Sequence, residues 1–556
     1  MNFSNQETAI NQNDSTTGNG VASFVIGTPG SFNKRNLEES ITPGGIMGYY
    51  LQDQWQTTPK LTINLGVRYD LALIPKYGTP ADNNQSVGNF DFNNGTYIVY
   101  KVPSSCASTG NAPCIPTPDG SLPTHVVASP DGKVFQNQYN NFQPRIGAAY
   151  RITPTTVIHG GIGIAFDNYA ALVQNLRGVS GNWPSVGQIG KSSINVPVSQ
   201  ANPFPGYTTQ NLPAMTALPA PTPFNQFNWF VDPKMKDAYS LQWNFGVQRQ
   251  LDSATVVSAT YVGSANRRLS FGGFYNTAAT PGPGNPTLRD PYPYIAPTFY
   301  SMSKGEGNYN ALQVQLTRSF HNGLAATVAY SWSKSIDEGC SGFFGSEGCS
   351  VQQIYNIRAE RSVSSFDVPQ SLVATWNYAL PIGRGKAVNT QNRVLDLLVG
   401  GWQYSGFAKF HSGNPYNVTD AADIANIGSV SWEPYIRPNI TGSVKPANQS
   451  AQTWLNYSAF SDPAPYTYGA TGRNNLRTQF FKGTDMSVFK EVKFKDRYAA
   501  KFTFDAFNVL NLAIWGQPNS SYSAPNNGVS TAPNFGVISS TYSGARTVQM
   551  SGKFSF

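Results

Sequence analysis

Leu61-Thr62-Ile63-Asn64-Leu65-Gly66-Val67-Arg68-Tyr69 alternates without a break. Every odd position is apolar or aromatic, and every even one is polar, charged or glycine. A period of two belongs to a β-strand, whose successive side chains point to opposite faces; a helix would repeat at three and four residues. The pattern returns in Tyr239–Gln248, in Leu324–Trp332 and in the last residues, Val548–Phe556. Its polar face is mostly Thr, Ser, Gln, Asn and Gly, where a soluble sheet would show more Lys and Glu.

The composition agrees. Asp, Glu, Lys and Arg make up 12% of the 556 residues, against about 25% in an ordinary soluble domain. Scarce Glu and Lys argue against a helical enzyme. The 29 Tyr, 33 Phe and 10 Trp argue against a disordered chain. No run of about 18 apolar residues exists, so no membrane-spanning helix is expected; the longest helix-like apolar stretch lies around Val394–Val399. The formal charge of +8 is spread along the chain without a block of like charges, which argues against nucleic acid as a partner. Met1–Glu7 has neither a basic nor an apolar signal region.

Reading the whole chain by alternation gives about 13 strands. They fall near 46–55, 59–71, 142–152, 155–166, 238–251, 254–263, 307–320, 324–334, 367–380, 399–411, 479–492, 497–509 and 546–556. A further strand is expected over Val21–Gly27. Short connections (56–58, 153–154, 251–253, 321–323, 493–496, and a medium one at 381–400) alternate with long ones (72–141, 167–237, 264–306, 335–366, 412–478, 510–545). Loops this long are unusual inside a compact domain. A transmembrane antiparallel β-barrel accounts for them, with short turns on the periplasmic side and long loops outside. If 56–58 is periplasmic, stepping strand by strand places Phe556 there too, where such barrels normally end. A large secreted sandwich or propeller is the rival, but its loops would not sort by parity.

Tyr49-Tyr50-Leu51-Gln52-Asp53-Gln54-Trp55, followed by Thr58-Pro59-Lys60 and the strand 61–70, resembles a hairpin of TonB-dependent outer-membrane receptors, in particular the Oar-like branch. Gly400-Gly401-Trp402, Gly413-Asn414-Pro415-Tyr416, Phe507-Asn508-Val509-Leu510-Asn511, Phe535-Gly536 and Arg546–Gln549 are similar to further motifs of that family, in the expected order. The resemblance covers 19–556, with 1–18 read as a flexible N-terminal segment. It implies the C-terminal portion of a 22-stranded barrel, without the plug domain, the TonB box and the early strands. The chain is then expected to be a fragment that does not transport alone, with two open sheet edges.

The motifs are architectural. Thr58-Pro59 presets a turn, across which Gln52 and Asp53 are expected to hydrogen-bond. Trp55, Tyr69, Trp332, Trp376 and Trp402 fall near strand ends, where amphipathic rings favour the membrane interface. Met550, Phe554 and Phe556 share one face, and the resemblance implies an assembly signal there, read by the outer-membrane assembly machinery. The four cysteines form two close pairs in Gly/Ser/Pro-rich stretches, Cys106 with Cys114 and Cys340 with Cys349. Local disulfides in an oxidising compartment suit them; a metal site is the rival, but no His lies near either pair.

Catalysis finds no purchase. Only His125, His159, His321 and His411 exist, and none shares readable spacing with a nucleophile and an orienting carboxylate. His159 is expected on the polar strand face with Gly161 and Gly163, and His321 in a tight turn. Gly160-Gly161-Ile162-Gly163 has no helix after it, and Gly383-Arg384-Gly385-Lys386 lacks the phosphate-loop spacing and reads as a periplasmic turn. No cofactor is expected. The resemblance implies an outer-membrane protein in contact with lipid, whose parent imports a scarce, bulky ligand such as a siderophore, vitamin or glycan and meets the TonB complex through its N-terminal parts. A structural or adhesive surface barrel is the alternative. No residue identifies the ligand.

Overall fold

The structure is a computed structural model. It describes residues 2–556 apart from 11–15, 36–38, 43–44, 75, 79–87, 101, 103, 110–113, 116, 118, 130–134, 136, 169–181, 184–187, 193–228, 340–350, 421, 429–435, 495–497 and 525–531.

Among the described residues thirteen strands follow one another in a single antiparallel meander, each pairing with the next of the thirteen. They are β1 (Gly45–Thr58), β2 (Leu61–Leu73), β3 (Gln138–Thr153), β4 (Thr156–Asp167), β5 (Ala238–Gln250), β6 (Thr255–Tyr275) and β7 (Thr298–His321). The second half is β8 (Leu324–Asp337), β9 (Gln370–Ala379), β10 (Trp402–His411), β11 (Phe481–Phe494), β12 (Tyr498–Phe507) and β13 (Thr547–Ser555). Each corresponds to one of the thirteen alternating segments. Among the described residues no pairing joins β1 to β13, and β13 is exposed along its whole length.

Turn chemistry explains the tight ends. Asn322 and Gly323 both have positive φ, 51° and 83°, as a two-residue hairpin turn of the I′ type requires. At 58–61 the Thr58 hydroxyl accepts the amides of Lys60 and Leu61 at 3.2 and 3.0 Å. Gln52 and Asp53 take no part in that turn, contrary to expectation. Adjacent residues of a strand face opposite ways, and Gln52 instead accepts a bond from the Arg145 guanidinium on β3, at 2.5 Å.

Two other expectations need correction. Val21–Gly27 is not a strand: Gly20–Ile26 forms helix α1. The Asn19 side chain caps its first turn, accepting from Val21 N and Ala22 N, and Gly27 ends it with φ 72°; such caps outweigh a short alternation. The strand expected from 399 begins at Trp402, because Arg393–Val399 forms helix α2 with Asn392 as its cap.

The described parts of the long connections are built rather than structureless. β6 and β7 run 21 and 24 residues, about twice the 9–11 a membrane strand needs, and project beyond the sheet as a paired ribbon. Around it pack Phe90, Tyr97, Ile115, Trp183, Phe230 and Val351, drawn from three connections. A second body gathers Tyr416, Val418, Leu455, Phe460, Tyr522 and Phe535 from 412–478 and 510–545.

Candidate functional site

Residues paired across neighbouring strands share a face, so the register assigns both faces of the wall. Tyr69 pairs with Tyr49 and Phe142, and Leu65 with Ile146. Ile146 pairs with Ile162, and that with Trp243. By the same register this face continues with Tyr261, Leu312 and Trp332, with Leu372 and Phe410, and with Val488, Phe504 and Met550. This face is predominantly apolar across the whole sheet. Asp53, opposite Leu65, is an exception in its middle. The other face carries Gln52, Asn64, Arg68, Gln143, Arg145, Gln242 and Asn244, with His159, Gly161 and Gly163 beside them.

The five aromatic residues singled out by sequence all lie on the apolar face, at two levels. Trp55, Trp376 and Trp402 stand near the short turns, while Tyr69 and Trp332 stand near the long connections. Trp376 lies across its cross-strand partner Gly406, where an added Cβ would sit 2.2 Å from the indole. Tyr69 donates its hydroxyl to the Tyr139 carbonyl at 3.1 Å. Met550, Phe554 and Phe556 are exposed, and Phe554 stacks on Tyr498 with ring centres 5.9 Å apart.

The polar face holds a hollow of about 460 Å³ between β1 and β5, lined by Gln52, Asn64, Arg68, Gln143, Arg145 and Asn244. Arg68 pairs with Asp70 at 2.8 Å, and Asp70 accepts a bond from Gln143 at 2.5 Å. Gly66 keeps this floor open, since a Cβ there would meet the Arg145 side chain at 2.7 Å. The opposite face over the same strands has an almost wholly apolar hollow of about 560 Å³, walled by Leu51, Leu65, Val67, Ile162 and Leu241. One sheet therefore offers hydrogen bonds and two guanidinium groups on one side and, Asp53 apart, mostly hydrocarbon on the other.

Above the wall, buried ion pairs tie the long connections together. Arg437 donates to Glu360 at 2.8 Å with both side chains almost wholly buried. Glu360 also accepts the amides of Gln352 and Gln353, each at 3.0 Å. Arg473 pairs with Asp337, and Arg477 with Asp367 at 2.5 Å. Each joins the 335–367 region to 412–478. Sequence reading missed these residues. In a chain this poor in charge, arginines inside aromatic loops were the available signal, but nothing local pairs Glu360 with a residue 77 positions away. Burial pushes the Asp420 carboxyl up to about 6, with the neighbouring Asp462 adding to it, and burial also raises Asp290 to about 6.

Cys114 is buried and disulfide-bonded. The side chain of Cys106, and Cys340 and Cys349 altogether, lie outside the described residues. Of the N-terminal segment 1–18, residues 2–10 and 16–18 are described; Gln6–Thr8 form a 3-10 turn and Phe3 packs edge-on against Phe24 of α1. Among the described residues no group of three or more His, Cys, Asp or Glu side chains gathers as a metal site.

A family model described as outer membrane beta barrel domain matches residues 1–549. No curated protein matches the chain. Solved structures align with it at low identity. The outer membrane transporter YddB from Escherichia coli aligns at 10% identity and a TM-score of 0.41, covering 92% of this chain and 54% of that one. The ferripyoverdine receptor of the outer membrane of Pseudomonas aeruginosa, bound to ferripyoverdine, aligns at 9% and 0.41, covering 92% and 38%. The ferric preacinetobactin receptor BauA from Acinetobacter baumannii aligns at 9% and 0.39, covering 92% and 43%. This chain thus spans between about two fifths and just over half of the length of those structures.

Proposed function

The chain belongs to the outer membrane beta barrel domain family, and from that premise we propose that it forms part of the wall and outer vestibule of an energy-coupled importer for a scarce, bulky ligand. It is an outer-membrane protein whose strands form an antiparallel transmembrane barrel wall. The observation that carries the import reading is the pairing of a polar inner face, with Arg68 and Arg145 beside an open hollow, and two folded loop bodies gathered at one end of the strands. A ligand caught by the loop bodies would descend along a wall rich in hydrogen-bonding groups, and the hydrocarbon face would meet lipid. Siderophores, vitamins and glycans carry the many oxygen atoms that such a wall would recognise.

In this reading the open edges of β1 and β13 join further strands of a larger barrel of the Oar-like type, because each lipid-exposed backbone group left unpaired costs several kcal/mol. Coupling would run through a plug and a TonB box, and the terminal Met550, Phe554 and Phe556 would be read by the assembly machinery. The pairings Cys106–Cys114 and Cys340–Cys349 would staple two outer loops, each worth about 2–3 kcal/mol in the chain-entropy model; non-reducing peptide mapping that returned crossed pairs or free thiols would remove them. The second reading, an adhesive or structural surface barrel, draws on the closed aromatic cores of the loop bodies, which resemble small folded domains more than open clefts.

Deleting the gene from its host decides between the two. Import predicts lost growth on one limiting nutrient, and in the parent strain uptake that stops when the proton-motive force is dissipated. Unchanged uptake with lost surface attachment would sink import and favour adhesion. DNA upstream that encodes a plug and a TonB box would favour import.

A further inference from the structure

Helix α2 (Arg393–Val399) presents an anomaly on the short-turn side. Its sequence is Arg-Val-Leu-Asp-Leu-Leu-Val, and its apolar side chains face outward: Val394 is 66% exposed, Leu397 54% and Leu398 63%. At about 100° per residue the five apolar positions sweep a broad arc, with Arg393 and Asp396 on the remaining side. An isolated helix of seven residues is marginal in water, and a soluble protein would fold such an arc onto its own core. Here none of the arc is buried.

On the polar side Asp396 is engaged. The Asp396 carboxylate accepts the Thr390 hydroxyl at 2.6 Å and the Arg384 amide at 2.8 Å. The last-turn carbonyls are met from the wall: Trp402 Nε1 donates to Leu398 O at 2.9 Å, and Lys490 Nζ donates to Leu397 O. Trp402 and Lys490 are cross-strand partners on the apolar face, and the Lys490 ammonium lies 5.7 Å from the Trp402 ring centre. The helix is therefore pinned by its carbonyl end to the face that carries the hydrocarbon. Its connection, 381–401, holds Arg384, Lys386 and Arg393 against the single acid Asp396.

We propose that α2 is an interfacial anchor, lying in the headgroup layer on the short-turn side and burying Val394, Leu395, Leu397 and Leu398 among the phospholipid chains of that leaflet. Continuity with the apolar wall through Trp402 names lipid as the occupant, and the surplus of cationic side chains suits phosphate headgroups. Trp402 then does two things, marking the interface with its own ring and closing the end of the helix. The proposal rests on reading the apolar sheet face as the lipid face, and the experiment separates the two.

The full chain is inserted into phospholipid vesicles with a fluorescent amino acid in place of Leu398, of Met550 as the lipid-face reference, or of Gln242 as the polar-face reference. Quenching by chain-brominated phospholipid is compared with quenching by aqueous iodide. Position 398 is expected to follow position 550, with iodide quenching at least about twofold weaker than at position 242, as for side chains buried in the headgroup–acyl boundary. Strong iodide quenching and no bromolipid quenching at 398, with 550 still quenched by lipid, would overturn the anchor alone. Shielding of 398 from both quenchers would overturn it in favour of a protein partner on that rim. Loss of bromolipid quenching at 550 would overturn the lipid-face reading and the anchor with it.

Discussion

The wall and the loop bodies use the same residue types in opposite ways. In the wall, Leu51, Trp55, Phe245, Phe502 and Met550 are exposed along strands of one paired sheet. In the loop bodies, Phe90, Tyr97, Phe230, Phe271 and Tyr522 are sealed from solvent. Among the described residues, the largest fully buried side chains all lie in the long connections or in the projecting halves of β6 and β7. The hydrophobic core of this molecule is thus in its loops. A protein whose sheet is solvated by hydrocarbon gains nothing from hiding apolar side chains there, whereas its loops stand in water and fold by ordinary burial.

That contrast can be broken at the ion pair that joins the loop bodies. Glu360→Ala leaves the Arg437 guanidinium buried and uncompensated, at a cost of about 3–5 kcal/mol. Amide exchange and trypsin cleavage should rise in 335–366 and 412–478 while the folded barrel keeps its heat-modifiable mobility on a gel. Collapse of both regions together would show that wall and loops are one cooperative unit.

A smaller effect sharpens the two faces of the wall. Leu65→Arg places a charge among lipid near mid-wall and should cost about 2–4 kcal/mol in urea titrations of the vesicle-inserted protein. Asn64→Arg, one residue away on the polar face, should stay within about 0.5 kcal/mol. Equal losses would mean that the register does not sort lipid from lumen.

The smallest effect is confined to the second loop body and depends on pH. Burial raises the Asp420 carboxyl from 3.8 to about 6, so its folded form prefers the proton. The stability this confers is complete below about pH 4 and is lost as pH climbs through about 6. The Asp420 amide, bonded to Ile436 O at 2.7 Å, should be better protected at pH 5 than at pH 7.5 after correction for intrinsic exchange. The reverse order, or an equal response in the wall, would contradict the assignment.

Period two made the wall legible, because β-pairing with one lipid face and one polar face leaves its signature in every strand. The thirteen segments and the aromatic positions at their ends follow from neighbours in sequence. What was lost is what depends on distance along the chain. Tyr97 meets Phe230, and Glu360 meets Arg437, through packing that imposes no local period. In the projecting halves of β6 and β7 the alternation is interrupted at Arg267-Arg268 and Gly305-Glu306-Gly307, so the sequence there suggests loop, although the ribbon carries on through irregular register. Val21–Gly27 shows the converse error, since a cap at Asn19 and a stop at Gly27 outweigh a few apolar residues.

The meander also carries an arithmetic of direction. With thirteen strands running alternately up and down, β1 and β13 point the same way, so a seam between them would be the one parallel joint in an antiparallel sheet. Two copies standing the same way up in a membrane meet the same obstacle, because any edge they offer each other is again parallel. Only an odd number of additional strands lets every joint be antiparallel. Closure of this wall is therefore a question of strand parity before it is one of affinity.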